Sequence, residues 1–393
     1  MPVLIILLTL EILTYLVLRE HYQNSSRPKF YISLTFNFIL STILWYFFIR
    51  SRTFKGFYDN PENISLHMNL AGMICAVAFP RFLLSLFHFT GRLLRIRRGT
   101  YMKGVTVAGL LLSTLIFLVV TDGVFIGRFN FRTEKITLKI KNLKLGLNGL
   151  RIVQISDLHL PGFYNHYDKL QKAIEIVNDL KPDLIFNTGD FISYGWREFD
   201  SCDTILAREK SRYGNFAIIG NHDVGTYFPR ASLPDKADIL MKVSEKIRAS
   251  GYIILNESNI IREIGGAKVA FIGVITGGRH SRMIHGDLRR AMEGTDSADF
   301  KIFLCHDPNQ WKTDVAGKTD INLTLSGHTH GMQIGVITKW FRWSPAKYYY
   351  PHWNGLYSEG NQYHYVNRGL GTMAVPFRIW MPPEITLITL AAE

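Results

Sequence analysis

The run RIVQISDLH, residues 151–159, decides how the second half of this chain is read. Its first residues are rich in β-branched side chains and read as a buried strand. Two polar residues, Asp157 and His159, stand just beyond its carboxyl end. One residue apart in an extended segment, they can point to the same face. A hard carboxylate beside an imidazole suits a borderline divalent metal.

Downstream the same arrangement recurs four times. Asp190 follows DLIFNTG (183–189), Asn221 and His222 follow FAIIG (216–220), His306 follows KIFLC (301–305), and His328 and His330 follow INLTLSG (321–327). Further strand-like runs are YIIL, KVAFIGV, YHYVN and ITLITL, and helical stretches fall at about Asp168–Leu180 and Asp235–Ser250. Such alternation predicts an α/β domain whose strands are buried between helical layers. In open α/β sheets ligands bind beyond the carboxyl ends of the strands, so five strand ends carrying metal-type ligands predict one site.

Taken singly the motifs carry little. Asp-x-His is commonly a surface loop, and Gly-Asp is ordinary turn chemistry. Gly220-Asn221-His222-Asp223 and Gly327-His328-Thr329-His330-Gly331 are rarer, the flanking glycines allowing close backbone approach. Their joint order, each at a strand end, carries the inference. The order resembles the calcineurin-like metallophosphoesterase superfamily, over the chain from about Leu150 onward. The closing stretch Asn367-Arg368-Gly369-Leu370-Gly371, with Pro376-Phe377-Arg378 and Pro383-Glu384, resembles its bacterial branch with an N-terminal membrane anchor.

That resemblance implies a two-sheet α/β sandwich flanked by helices and a dinuclear centre. It assigns Asp157, His159, Asp190 and His330 to one metal, and Asp190, Asn221, His306 and His328 to the other, with Asp190 bridging. Two divalent ions (Mn, Fe or Zn) would generate a bridging hydroxide that attacks phosphorus in line. Asp190 and His222 are the expected catalytic residues, His222 stabilising charge or protonating the leaving oxygen. One departure stands out: Gly189-Asp190 continues Phe-Ile-Ser-Tyr-Gly, without the Asp-Arg pair of the superfamily's protein Ser/Thr phosphatases. Phosphoproteins are therefore unexpected substrates.

Residues 1–127 read differently. Four apolar stretches, about Pro2–Leu18, Phe30–Ile49, Ile64–Phe89 and Val105–Ile126, approach the roughly 17–25 residues of a membrane-spanning helix. Buried helices of a soluble bundle are the alternative, disfavoured by aromatic ends (Trp45–Phe48) and basic connectors. Glu11 and Arg81 fall inside these stretches and are expected to face the bundle interior, paired with each other. Residues 128–149 form a basic juxtamembrane linker and first strand, and 150–393 the catalytic domain. The expected setting is a multi-pass protein of the bacterial cytoplasmic membrane, with the bilayer itself as a partner. The connector at 92–103, with five basic residues, favours an extracytoplasmic catalytic domain, while Arg128 to Lys144 pull the other way.

Charge separates the two parts further. Of a net +13, the first 149 residues hold 18 basic against 6 acidic residues, and the remainder 27 against 26. A near-neutral catalytic part gives no bulk support to nucleic-acid binding, which disfavours a nuclease. Arg279 and Arg282, in a basic loop, and Arg368, beside a glycine turn, are candidates to bind substrate phosphate; solvated or structural roles are the alternatives. The aromatic, basic segment Trp340–Tyr357 either lies on the membrane interface or packs under a long loop. Cys202 and Cys305 leave one disulfide open. The expected activity is hydrolysis of a phosphate mono- or diester, lipid-linked or a nucleotide-lipid pyrophosphate among the options. A catalytically silent membrane sensor is the alternative from another class.

Overall fold

A computed structural model describes residues 2–22, 27–98, 103–279 and 282–393, the side chains at 95–98, 103, 279, 282 and 283 excepted. The chain divides into two compact units. One comprises Met1–Gly56, Leu66–Ile126 and Ala374–Ile379; the other comprises Phe57–Ser65, Gly127–Met373 and Trp380–Glu393.

The first unit is helical, with four helices long and apolar enough to cross a membrane: Pro2–Tyr22, Arg27–Thr53, Pro61–Leu94 and Gly104–Phe129. The third widens into a π-helical turn at Ile74–Ala78, just before Pro80. A proline lacks its N–H and its ring crowds the carbonyl four residues back, which the wider turn relieves. Glu11 and Arg81 do meet, at 3.5 Å. Trp45 Nε1 also donates to Glu11, and Arg81 donates to the Asn37 carbonyl and the Ser41 hydroxyl. The buried guanidinium thus has several oxygens around it, as a charge at apolar depth requires.

In the second unit, one six-stranded sheet joins β1 (Arg132–Ile140), β2 (Arg151–Ile155), β3 (Leu184–Asn187), β4 (Asn215–Ala217), β5 (Tyr252–Ile254) and β16 (Glu384–Ala392), in the order β1-β16-β2-β3-β4-β5. Strands β2 to β5 run parallel, and β16 pairs antiparallel with β2. The other sheet joins β6 (Ser258–Ile264), β7 (Ala267–Gly273), β10 (Phe300–Leu304), β11 (Leu323–Ser326), β14 (Gly355–Glu359) and β15 (Gln362–Val366), ordered β14-β15-β11-β10-β7-β6. Two hairpins stand apart, β8 (Thr276–Arg279) with β9 (Arg282–His285), and β12 (Val336–Ile337) with β13 (Arg342–Trp343).

Strand alternation builds the layers. Ile152, Phe186 and Phe216 from the first sheet share a core with Phe271, Ile302 and Leu325 from the second. Their neighbours Val153, Ile185 and Ala217 point the other way, onto helices Tyr167–Asp179 and Leu233–Ala249. On the far side of the second sheet, Phe303 and Cys305 pack against Trp311 and Leu288. The result is the expected helix–sheet–sheet–helix sandwich, its parallel strands apolar on both faces. The cysteines are free, so the Cys202–Cys305 bridge left open by the sequence is not formed.

Glu209 lies buried against β5, where the Tyr252 hydroxyl donates to it. Burial pushes its carboxyl up to about 8, against the opposing pull of that hydrogen bond. A folded pKa above the unfolded one gives stability that is complete below the ordinary carboxyl range and lost as pH rises through about 8. Between about pH 6 and pH 9 the thermal midpoint of the wild type is expected to fall more steeply than that of Glu209→Gln. Parallel slopes in the two proteins would contradict a protonated Glu209.

Candidate metal centre

Each expected ligand sits two to five residues past a parallel strand, so the sheets deliver them to one end of the sandwich. Asp157 and His159 follow β2, Asp190 follows β3, Asn221 and His222 follow β4, His306 follows β10, and His328 and His330 follow β11. All are buried except the partly buried His328. Five of them, Asp157, His159, Asp190, His328 and His330, hold positive φ between 40° and 72°. Non-glycine residues seldom adopt that region, and strain of this kind collects at functional sites.

Close backbone contact holds the strained loops. A Cβ at Gly220 would stand 2.2 Å from Asp190 Oδ1, and one at Gly369 2.6 Å from the Asp157 Cβ. The amides of Leu370 and Gly371 donate to the carbonyls of Ser156 and Asp157, so the 367–371 stretch forms the floor of the Asp157 loop. Asp223 is the hub of the second ligand loop. Its carboxylate accepts from the amides of Asp190, Phe191, Ile192 and Gly220, at 2.8–3.2 Å.

The ligand atoms gather in three overlapping groups, Asp157–His159–His330, Asp190–His306–His328 and His159–Asp190–His222, each with its atoms within 4.8 Å of one another. His159 Nε2 lies 3.1 Å from His330 Nε2, and His330 Nε2 lies 3.3 Å from Asp157 Oδ1. His306 Nε2 lies 2.9 Å from Asp190 Oδ2 and 3.3 Å from His328 Nδ1. His306 Nδ1 donates to the Thr188 carbonyl, leaving Nε2 to face the group. The side-chain oxygen of Asn221 is buried without a hydrogen-bond partner, while its amide nitrogen donates to the Tyr227 hydroxyl. Converging ring nitrogens, two carboxylates and an orphaned amide oxygen fit divalent cations, which take lone pairs and need no proton.

Electrostatics favour the ligand state at the carboxylates and at His328. Burial alone would raise the Asp157 carboxyl, but His330 and then His306 hold it well below the usual carboxylate range. Asp190 is likewise held down, by His306 and His222. Burial, followed by His306, lowers His328 to about 4. Ionised carboxylates and a neutral His328 are protonation states that metal ligands require. Against the opposing pull of burial, Asp190 and then Asp157 push the His306 imidazole up to about 10, so a cation would have to displace its proton.

His222 borders both of the other groups through His159 and Asp190, and its ring is held from outside them. Its Nδ1 donates to the Ser193 carbonyl at 2.7 Å, and Tyr227 stacks on the ring at 4.0 Å between centroids. The tautomer is thereby set with Nε2 free of that bond. Ser193 also meets His159 Nδ1 through its hydroxyl, and Glu198 accepts from the amides of Ser193, Tyr194 and Gly195. On the other side, the Tyr350 hydroxyl lies 2.8 Å from His328 Nε2. Ser193, Glu198, Asp223, Tyr227 and Tyr350 are contributions that motif reading missed. Only Asp223, inside the Gly-Asn-His-Asp run, had a signal in the sequence.

Two of the expected substrate contacts, the side chains of Arg279 and Arg282, lie outside the described residues; their backbone closes the β8–β9 hairpin. His285 on that hairpin meets Asp307, the neighbour of His306, at 3.0 Å. Arg368, the third expected contact, lies inside. It is 2% exposed, and its guanidinium bonds Glu384 at 3.0 Å, Glu134 at 2.8 Å and the Asn354 amide oxygen at 2.9 Å. It therefore ties β1 and β16 to the 354 loop, the structural alternative raised for it from the sequence. Removing one member of a buried ion pair costs about 3–5 kcal/mol, so Arg368→Ala should lower the thermal midpoint by several degrees. An unchanged midpoint would return Arg368 to the substrate.

The family model for calcineurin-like phosphoesterases matches residues 150–332. The uncharacterized metallophosphoesterase YkuE of Bacillus subtilis (strain 168) is 31% identical over 263 residues, 66% of this chain and 85% of that protein. A Danio rerio protein named transmembrane protein with metallophosphoesterase domain is 28% identical over 340 residues, 83% of this chain and 73% of its own. An uncharacterized metallophosphoesterase of Aquifex aeolicus (strain VF5) is 24% identical over 263 residues, 67% of this chain and 92% of that one.

Proposed function

The chain belongs to the calcineurin-like phosphoesterase family, and from that premise we propose that it is a membrane-bound hydrolase of phosphate mono- or diesters working with two divalent cations. That it is a membrane protein follows from its four long apolar helices and agrees with the name of the Danio rerio relative. Among the residues, Asp157, His159, Asp190 and His330 would hold one cation, and Asp190, Asn221, His306 and His328 the other. The observation that carries this reading is the convergence of the groups Asp157–His159–His330 and Asp190–His306–His328, with the partnerless Asn221 oxygen beside them. When bound, such cations supply Lewis acidity and offset phosphoryl charge.

The chain's own residues supply the rest. Asp190 Oδ1 accepts from the His222 amide at 2.9 Å, which fixes the carboxylate plane while Oδ2 faces His306. Tyr227 orients the Asn221 amide so that its oxygen faces inward. His222 Nε2, its tautomer set from the Ser193 carbonyl, is the atom to pass a proton to a leaving oxygen. A lipid-linked phosphoester is the favoured substrate, since confinement to one membrane raises effective concentration.

The test uses the full chain in liposomes, stripped with chelator and reloaded with Mn²⁺, Fe²⁺ or Zn²⁺. Cation-dependent cleavage of an aryl phosphodiester or monoester is expected. Rates equal to protein-free vesicles under every cation would overturn the hydrolase reading in favour of a silent sensor.

A further inference from the structure

The segment between β11 and β14 is divided into an inner and an outer face. Inside, Ala346, Trp353 and Met381 form a buried cluster on which Ile337 and Tyr350 pack. The Ser344 hydroxyl donates to the Gly331 carbonyl at 2.6 Å, and Tyr350 reaches His328. The β12–β13 hairpin is thus fastened at its base to the loop that carries His328 and His330.

Its tip points the other way. A tight turn, closed by the Thr338 amide to the Phe341 carbonyl and by the Thr338 hydroxyl accepting from the Trp340 and Phe341 amides, presents Trp340 and Phe341 outward. Trp340 is 87% exposed and Phe341 56%. After the hairpin, Tyr348 and Tyr349 are 70% and 69% exposed. Lys339, Arg342 and Lys347 are exposed among them, Lys339 lying over the Trp340 ring and Lys347 over the Tyr348 ring. No acidic residue occurs between Asp320 and Glu359.

We propose that this hairpin and the tyrosines after it form a bilayer-contacting surface, inserting Trp340 and Phe341 among lipid headgroups with the cations on anionic lipid phosphates. A rigidly built turn exposing two large aromatics to water would otherwise expose their rings at no benefit to the core. Tryptophan and tyrosine favour the membrane interface because they join an apolar ring to a polar atom. Lysine and arginine beside them gain from the negative surface potential of anionic lipid. A protein partner fits less well, since lysine is depleted from protein interfaces. The bilayer is at hand in any case, for the same chain carries the four apolar helices. A hairpin fastened to the ligand loop would then bring lipid headgroups to the rim of the site. The inference rests on the membrane-protein part of the proposed function and not on hydrolysis.

The test is spin labelling of the full chain, reconstituted in vesicles of phosphatidylethanolamine and phosphatidylglycerol. Nitroxides are attached at Trp340→Cys and, as an aqueous reference on the same unit, at the exposed Leu233→Cys, both in a Cys75→Ala background. Collision rates with oxygen and with a water-soluble nickel chelate are measured. At 340 an oxygen-to-nickel ratio several-fold above that at 233 is expected, falling when phosphatidylglycerol is replaced by phosphatidylcholine. Equal ratios at the two positions would overturn the proposal, whatever the enzymatic activity. Retained thermal midpoints identify variants that fold.

Discussion

Asp190→Asn is expected to fold normally and to lose phosphoester hydrolysis by about 10³-fold or more, on the order of 4 kcal/mol of transition-state stabilisation. The fold survives because the new amide meets every existing neighbour. Its oxygen can take the His222 amide, and its NH₂ can donate to His306 Nε2, whose other nitrogen is already committed to the Thr188 carbonyl. What the amide removes is the negative charge that both cations would share. Metal content measured after dialysis should therefore fall along with the rate. A variant that retained full metal and full rate would exclude Asp190 from the centre.

The second large effect is expected at His222, with a different signature. His222→Ala should leave metal content intact and lower kcat by about 10²–10⁴-fold, the usual range for loss of a general acid. The loss should depend on the leaving group. An aryl ester, whose oxygen departs readily as an anion, should suffer less than an alkyl ester, whose oxygen needs a proton. Equal losses on both would show that His222 acts by stabilising charge and not by protonating the leaving oxygen. Tyr227 offers a companion measurement. It stacks on His222 and accepts from Asn221, so Tyr227→Phe keeps the stack and removes only the hydroxyl. A modest change in cation affinity with little change in leaving-group dependence is expected.

The strands that carry the ligands were legible because a parallel strand buried on both faces is a nearly continuous apolar run, and the residue that breaks it is conspicuous. RIVQIS, DLIFNT, KIFLC and INLTLS all became strands with the expected polar residues at their ends. Supporting residues were hidden for a physical reason. Asp223 and Glu198 act by accepting backbone amides, and any residue type can supply an amide. Tyr227 and Tyr350 reach the centre from loops whose paths have no periodicity. The surroundings of Arg368 were hidden because glycines on a turn suggest exposure. Its burial depends on Glu134 and Glu384, one of them 234 residues away in the chain. The aromatic segment at 340–357 was offered two exclusive fates, and its irregular spacing concealed that Trp353 goes inside while Trp340 goes out.

The nine residues Phe57–Ser65 lie between two apolar helices in sequence, yet belong to the catalytic unit. Asp59 accepts from the Arg197 amide and guanidinium, Phe57 lies under that guanidinium, and Tyr58 packs against Tyr194 and Phe228. These contacts brace the stretch whose Ser193 carbonyl orients His222. A soluble enzyme cannot therefore be made by cutting before the first strand: such a fragment would discard the brace and leave Arg197 and Tyr194 bare.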